Sequence, residues 1–210
     1  MGLEQLQQAL AKLYTDATLR AEFLADPDDT SVTLGLSTVE AVQLTAVSVQ
    51  QIECFAQSLR RKRADEVRSL LPYTCRALGK SFGQIFSTYS ETFCPQGCHK
   101  HRDDALQFVV YLTRNARCQN VAANVIDIAR FEAAALRMSQ YSDRVLIRLF
   151  RHDVRQSIFR VKEGRQIAQE VFRPSAGIWF RIGSITRFRI VVFPSFASLS
   201  DSVSELNHLT

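Results

Sequence analysis

The sequence predicts a mainly α-helical chain in which a helical N-terminal domain is followed by a small α+β element with a β-hairpin. Three observations carry this. Apolar residues recur at three- and four-residue steps from Leu3 to Leu136, the spacing that lines one side of a helix. That periodicity stops at Tyr141-Ser142. Beyond it, two short apolar runs flank Gly183-Ser184, the arrangement of two strands joined by a tight turn. The expected organisation is a helical domain over 1–140, a basic α+β element over 141–195 and a flexible tail over 196–210.

Leu3, Leu6, Leu10 and Leu13 predict a first helix over 2–14. Thr15 or Asp16 caps a second, lined by Leu19, Phe23 and Leu24 and closed at Pro27, after which 28–36 reads as loop. Ser37-Thr38-Val39-Glu40 and Ser48-Val49-Gln50-Gln51 both have capping-box form, so helices should begin near 38 and 49. The second of these is long. Ile52, Phe55, Ala56, Leu59, Val67 and Leu70 carry its apolar side as far as Pro72, whose ring disfavours helical geometry at Leu71. Leu78-Gly79 marks a joint, and Phe82, Ile85, Phe86 and Tyr89 line the next helix. Residues 94–102 read as loop, Asp103 or Asp104 caps a helix containing Leu106, Val109, Val110 and Leu112, and 120–138 forms another. A strand over 144–150, a helix over 153–162 and hairpin strands over 178–181 and 187–193 complete the set.

A chain of 210 residues is long enough for one sizeable core or two small ones. No apolar run approaches the ~20 residues needed to cross a bilayer, and the N-terminus has no secretory pattern. The five cysteines are odd in number and scattered, which with no export signal predicts reduced thiols in a cytoplasmic protein. The net charge of +5 is concentrated late: residues 144–190 hold eleven Lys and Arg against three acidic residues, so an acidic partner is expected there.

Two stretches carry a resemblance. The run Val67-Arg68-Ser69-Leu70-Leu71-Pro72-Tyr73-Thr74-Cys75-Arg76-Ala77-Leu78-Gly79-Lys80-Ser81-Phe82 and the later Ile126-Asp127-Ile128-Ala129-Arg130-Phe131-Glu132-Ala133-Ala134 resemble the two signatures of the HvfC-type DNA-binding-domain family. The first is a helix stopping at Leu-Pro, then Leu-Gly and an aromatic residue; the second is D-x-A-x-x-E. The resemblance covers roughly residues 50–138. Members of that family accompany multinuclear non-haem iron oxidases that modify cysteines of ribosomally made peptides, and BufC and MbnC are related partner subunits. The resemblance therefore implies a partner subunit that presents a precursor peptide to an iron oxidase holding the metals. No catalytic residue and no cofactor are expected in this chain.

The candidate partner-binding residues fall in two groups. Arg60, Arg61, Arg63 and Arg68 form a basic cluster on a helix, although their side chains fan about 100° apart per residue and do not share one side. Phosphates or an acidic protein could meet them, and DNA binding by a transcriptional regulator is the competing function; no recognition helix for base readout is evident. Trp179, Phe180, Arg181, Arg187 and Arg189 mix aromatics with arginine on the hairpin, a composition common in recognition surfaces. Alternation puts Phe188, Ile190 and Val192 on one side and Arg187, Arg189 and Val191 on the other, and an open edge there could accept an extended peptide.

For metal, Cys94, Cys98, His99 and His101 lie within eight residues; zinc accepts such ligands, but the spacing has no standard counterpart, so no metal is assigned. His152 and Asp153 are adjacent and diverge, no nucleophile stands in an elbow, and no phosphate-binding glycine loop is present. Glu132 reads as a buried structural anchor, paired with Arg76 or Arg68.

Overall fold

Capping chemistry opens the N-terminal helices. In α1 (Gly2–Thr15) Leu6, Leu10 and Leu13 face inward; the Asp16 carboxylate then accepts from the N–H groups of Thr18 and Leu19 and starts α2 (Ala17–Ala25). The stretch expected to be loop contains a further short helix, α3 (Pro27–Thr33). Its start is explained by Pro27 at the first helical position and by Asp26, whose side chain accepts from Asp29 N–H. Ser37 forms the full capping box with Glu40 at the start of α4 (Thr38–Thr45). Ser48 and Gln51 exchange the same reciprocal bonds at the start of α5 (Val49–Leu70).

The computed structural model describes residues 2–140, 144–165, 172–182 and 185–193, and among them it contains ten helices and one three-stranded sheet. The mainly helical class with a small C-terminal sheet stands. The chain divides into two units, Met1–Glu66 with Phe86–Asp104, and Val67–Ile85 with Ala105–Thr210. The core of the first gathers Ala9, Leu13, Phe23, Leu44 and Ile52, with Leu6, Leu10 and Leu19 packed on it. The predicted turn at Gly183-Ser184 and the predicted tail over 196–210 lie outside the described residues.

Pro72 does what its ring requires: α5 ends at Leu70 and α6 (Pro72–Leu78) starts anew. Gly79, at φ +55°, ends α6 in a conformation that side-chain-bearing residues rarely adopt, and α7 (Ser81–Thr92) follows. Next, α8 (Lys100–Arg114) begins before the expected cap at Asp103 or Asp104, its first turn closed by the N–H groups of Arg102 and Asp103 donating to the His99 carbonyl. Helix α9 (Ala123–Gln140) packs on α6, on α10 (Val154–Lys162) and on the sheet. The sheet comprises β1 (Val145–Phe150), β2 (Ser175–Ile182) and β3 (Ile185–Val192), antiparallel in the order β1-β2-β3. Phe131, Ala134 and Met138 of α9, Phe150, Val154 and Trp179 form the core of this second unit.

Candidate functional site

The register of the hairpin decides what it offers. Trp179 stands opposite Phe188, and Phe180 opposite Arg187. One side of the sheet therefore carries Leu146, Phe150, Trp179, Phe188 and Ile190 toward α9. Trp179 is 1% exposed, with its ring 5.1 Å from that of Phe131. It is a core residue that fixes the hairpin, so of the sequence-predicted group it is withdrawn from any docking surface. Gly177 makes room for it, since a Cβ there would stand 2.6 Å from the indole Cη2.

The other side of the sheet is apolar yet open. Val145, Ile147 and Leu149 of β1 are 58%, 55% and 64% exposed. Phe180, Arg187 and Arg189 share this side, while Arg181 falls on the Trp179 side. The exposed β1 row was not singled out from sequence. The sequence there is apolar at every position but Arg148, so no polar alternation marks which row is left uncovered.

The phase of the ladder follows from one bond. Phe193 N–H donates to Pro174 carbonyl, so odd-numbered residues of β3 bond to β2 and the backbone groups of Thr186, Phe188, Ile190 and Val192 point outward. Among the described residues no strand pairs with that outer edge. Phe188, though on the core side and 5.5 Å from the Phe131 ring, is 57% exposed because it stands at this edge. Arg187 and Arg189 are exposed and have no carboxylate partner among the described residues.

The α5 arginines behave differently. The Arg63 fork meets both carboxylate oxygens of Asp104 at 2.9 Å and also donates to the carbonyls of Ser90 and Phe93. Tyr89 hydroxyl completes the cluster, donating to Asp104 at 2.7 Å. Burial opposes the charge on Arg63, but the hydrogen bonds and the negative charge of Asp104 outweigh it and raise its pKa. Burial, then the Asp104 charge, pushes the Tyr89 phenol up. Arg60 donates to Ser87, Arg68 lies over the Phe82 ring at 4.9 Å, and Arg61 is exposed. The arginines thus have different surroundings.

Cys94, Cys98 and His99 are exposed and His101 is partly so. Among the described residues no group of three or more His, Cys, Asp or Glu side chains is placed to hold a metal ion. Nor does a helix there have the length and apolarity to cross a membrane.

The D-x-A-x-x-E stretch of α9 is structural. Glu132 is buried, and its carboxylate accepts from Tyr73 N–H, Thr74 N–H and Thr74 hydroxyl at 2.6–2.9 Å. The anchor expected from sequence is present, but its partners are the first amides of α6, where Arg76 or Arg68 was expected. Burial raises the Glu132 pKa against the lowering effect of these donors. Burial and then the Glu132 charge push the neighbouring Cys75 thiol up to about 12, which leaves it protonated and unreactive at neutral pH. Asp127 accepts from the N–H groups of Arg151 and His152, and His152 Nδ1 lies 2.9 Å away. His152 is thereby used to hold the β1–α10 turn, with Asp153 capping α10 separately.

Residues 48–114 match the family model described as SCO6045-like, C-terminal domain. The matched stretch runs from the start of α5 to the end of α8 and includes Arg63 and Asp104. No curated protein matches the chain.

Proposed function

We propose that the chain is a non-catalytic binding protein that captures an extended peptide along the outer edge of β3 and presents it to a partner enzyme. The observation that carries this is a strand edge that pairs with no other strand among the described residues, beside two arginines at alternate positions that meet no carboxylate there. A strand added there would complete the outward backbone bonds of Phe188 and Ile190. Its side chains would alternate: those beside Phe188 and Ile190 apolar, those beside Arg187 and Arg189 acidic. The resemblance to HvfC-type partner proteins supplies the enzyme class, a multinuclear non-haem iron oxidase that holds its own metals, and a ribosomally made precursor as the peptide. The α5 arginines give DNA binding little support, since the Arg63 guanidinium is spent on Asp104.

The test uses amide exchange on the full chain with a ten-residue peptide alternating glutamate and valine, a shuffled peptide of the same composition, and a DNA duplex. The alternating peptide should slow exchange at Phe188 and Ile190, and Arg187→Glu with Arg189→Glu should abolish the effect. Equal protection by the shuffled peptide would remove the strand-addition reading. Protection by the duplex alone, lost steeply with salt, would replace it with the regulator.

A further inference from the structure

A second, separate feature is a cleft of about 240 Å³ between α8, α9 and β1. Leu106 and Val109 of α8 and Ala133 and Ala134 of α9 form a buried apolar floor. Around it stand Arg114, Arg130, Arg137 and Arg148. Helical spacing produces this: 130, 133, 134 and 137 fall on one stripe of α9, as do 106, 109, 110, 113 and 114 on α8. Alternation places Arg148 on the α9 side of β1, between Leu146 and Phe150.

The charge balance is one-sided. Among the described residues no acidic one lines the cleft. Arg130 has the buried Asp127 carboxylate at 3.7 Å and lies 5.9 Å from the centre of the Phe150 ring, and Arg148 donates to its neighbouring Ile147 carbonyl. Arg114 and Arg137 are exposed, without a carboxylate partner among the described residues. Like charges gathered over a low-dielectric floor repel one another and focus a positive potential into the cleft. A larger cleft of about 460 Å³ beside Arg76 and Arg165 lacks this character, because it is lined by two arginines where the smaller has four, and Glu163 lies 3.0 Å from Arg165.

We propose that the 240 Å³ cleft binds a small apolar anion, a carboxylate on a short hydrocarbon body. The guanidiniums would take the carboxylate through paired N–H donors, and the alanines leave room for the hydrocarbon. The volume is below that of sites for drug-sized ligands, so the ligand is a small acid. This proposal stands independently of the β3 edge.

Octanoate and octan-1-ol, titrated into the full chain by calorimetry and by backbone NMR, provide the test. Octanoate should bind saturably, shift the Ala133 and Ala134 signals, and weaken as salt rises; octanol should bind at least about tenfold more weakly. Arg114→Gln and Arg137→Gln, both at exposed positions where the fold tolerates change, should each weaken octanoate by about tenfold, while Arg155→Gln on α10 leaves it unchanged. Equal binding of octanol and octanoate, no binding of octanoate, or indifference of octanoate to the Arg114 and Arg137 substitutions would overturn the proposal.

Discussion

Arg63 and the pair Arg187 and Arg189 belong to the same residue type and do opposite work. Arg63 is folded inward, with its fork matched to a carboxylate that is 3% exposed and its remaining donors on two backbone carbonyls. The hairpin arginines stand on an open strand with no carboxylate near them among the described residues. A basic sequence cluster can therefore be an internal clamp or an external handle. What separates the two is whether an acid reaches it from elsewhere in the fold. Asp104 lies 41 positions from Arg63, beyond the range of any local pattern.

The largest expected effect breaks or sustains that contrast directly. Arg63→Ala leaves Asp104 charged, buried and without its fork, and should lower unfolding free energy by about 3–5 kcal/mol in urea titration. Asp104→Asn should cost a comparable amount, and the double variant less than the sum, since both remove one interaction. Arg187→Glu and Arg189→Glu should each stay within about 0.5 kcal/mol of the parent. Equal losses in the two sets would show that the hairpin arginines also serve the fold.

Next in size is the support beneath the handle. Gly177→Ala puts a methyl 2.6 Å from Trp179 Cη2 and 3.1 Å from Phe150 Cε2. Neither ring can yield easily inside the core, so the cost should be about 1–3 kcal/mol. The chain has one tryptophan, so its emission reports the site: the variant should show a red-shifted spectrum in the native state. An unshifted spectrum with unchanged stability would mean that the hairpin is not held by this contact, and the orientation of Arg187 and Arg189 would lose its explanation.

Local chemistry was legible in the sequence; coupling between distant segments was not. The capping boxes at Ser37 and Ser48, the break at Pro72 and the alternation of Phe188 against Arg187 each depend on residues within a few positions, and each is present. The helix α3 was missed because an Asp-rich stretch after Pro27 reads equally as turn; Asp26 resolves it by capping. The clamp on Arg63, the seating of Glu132 on α6 and the burial of Trp179 all require knowing which segments meet. For the same reason Trp179, an aromatic beside arginines, resembled a recognition residue before its ring was seen against Phe131. The cleft of four arginines was written in helical stripes, but no stripe declares which other stripe it faces.

The smallest effect concerns pH and separates the fold's acids from its arginines, which do not titrate in the accessible range. Burial raises the Glu132 pKa above its usual 4.5 despite three donors. Between 4.5 and the raised value the native state therefore holds more protons on this group than the unfolded chain does. Its contribution to stability is complete below 4.5 and is lost as pH rises through the raised value. The stability of the parent relative to Glu132→Gln should thus fall with rising pH above 4.5, with a slope no steeper than ~1.4 kcal/mol per pH unit for a single proton. Arg63→Ala made in both backgrounds should leave that difference unchanged. A parent advantage that grows with pH would mean that the α6 amides outweigh burial, and that Glu132 holds its helix as a carboxylate favoured by the fold.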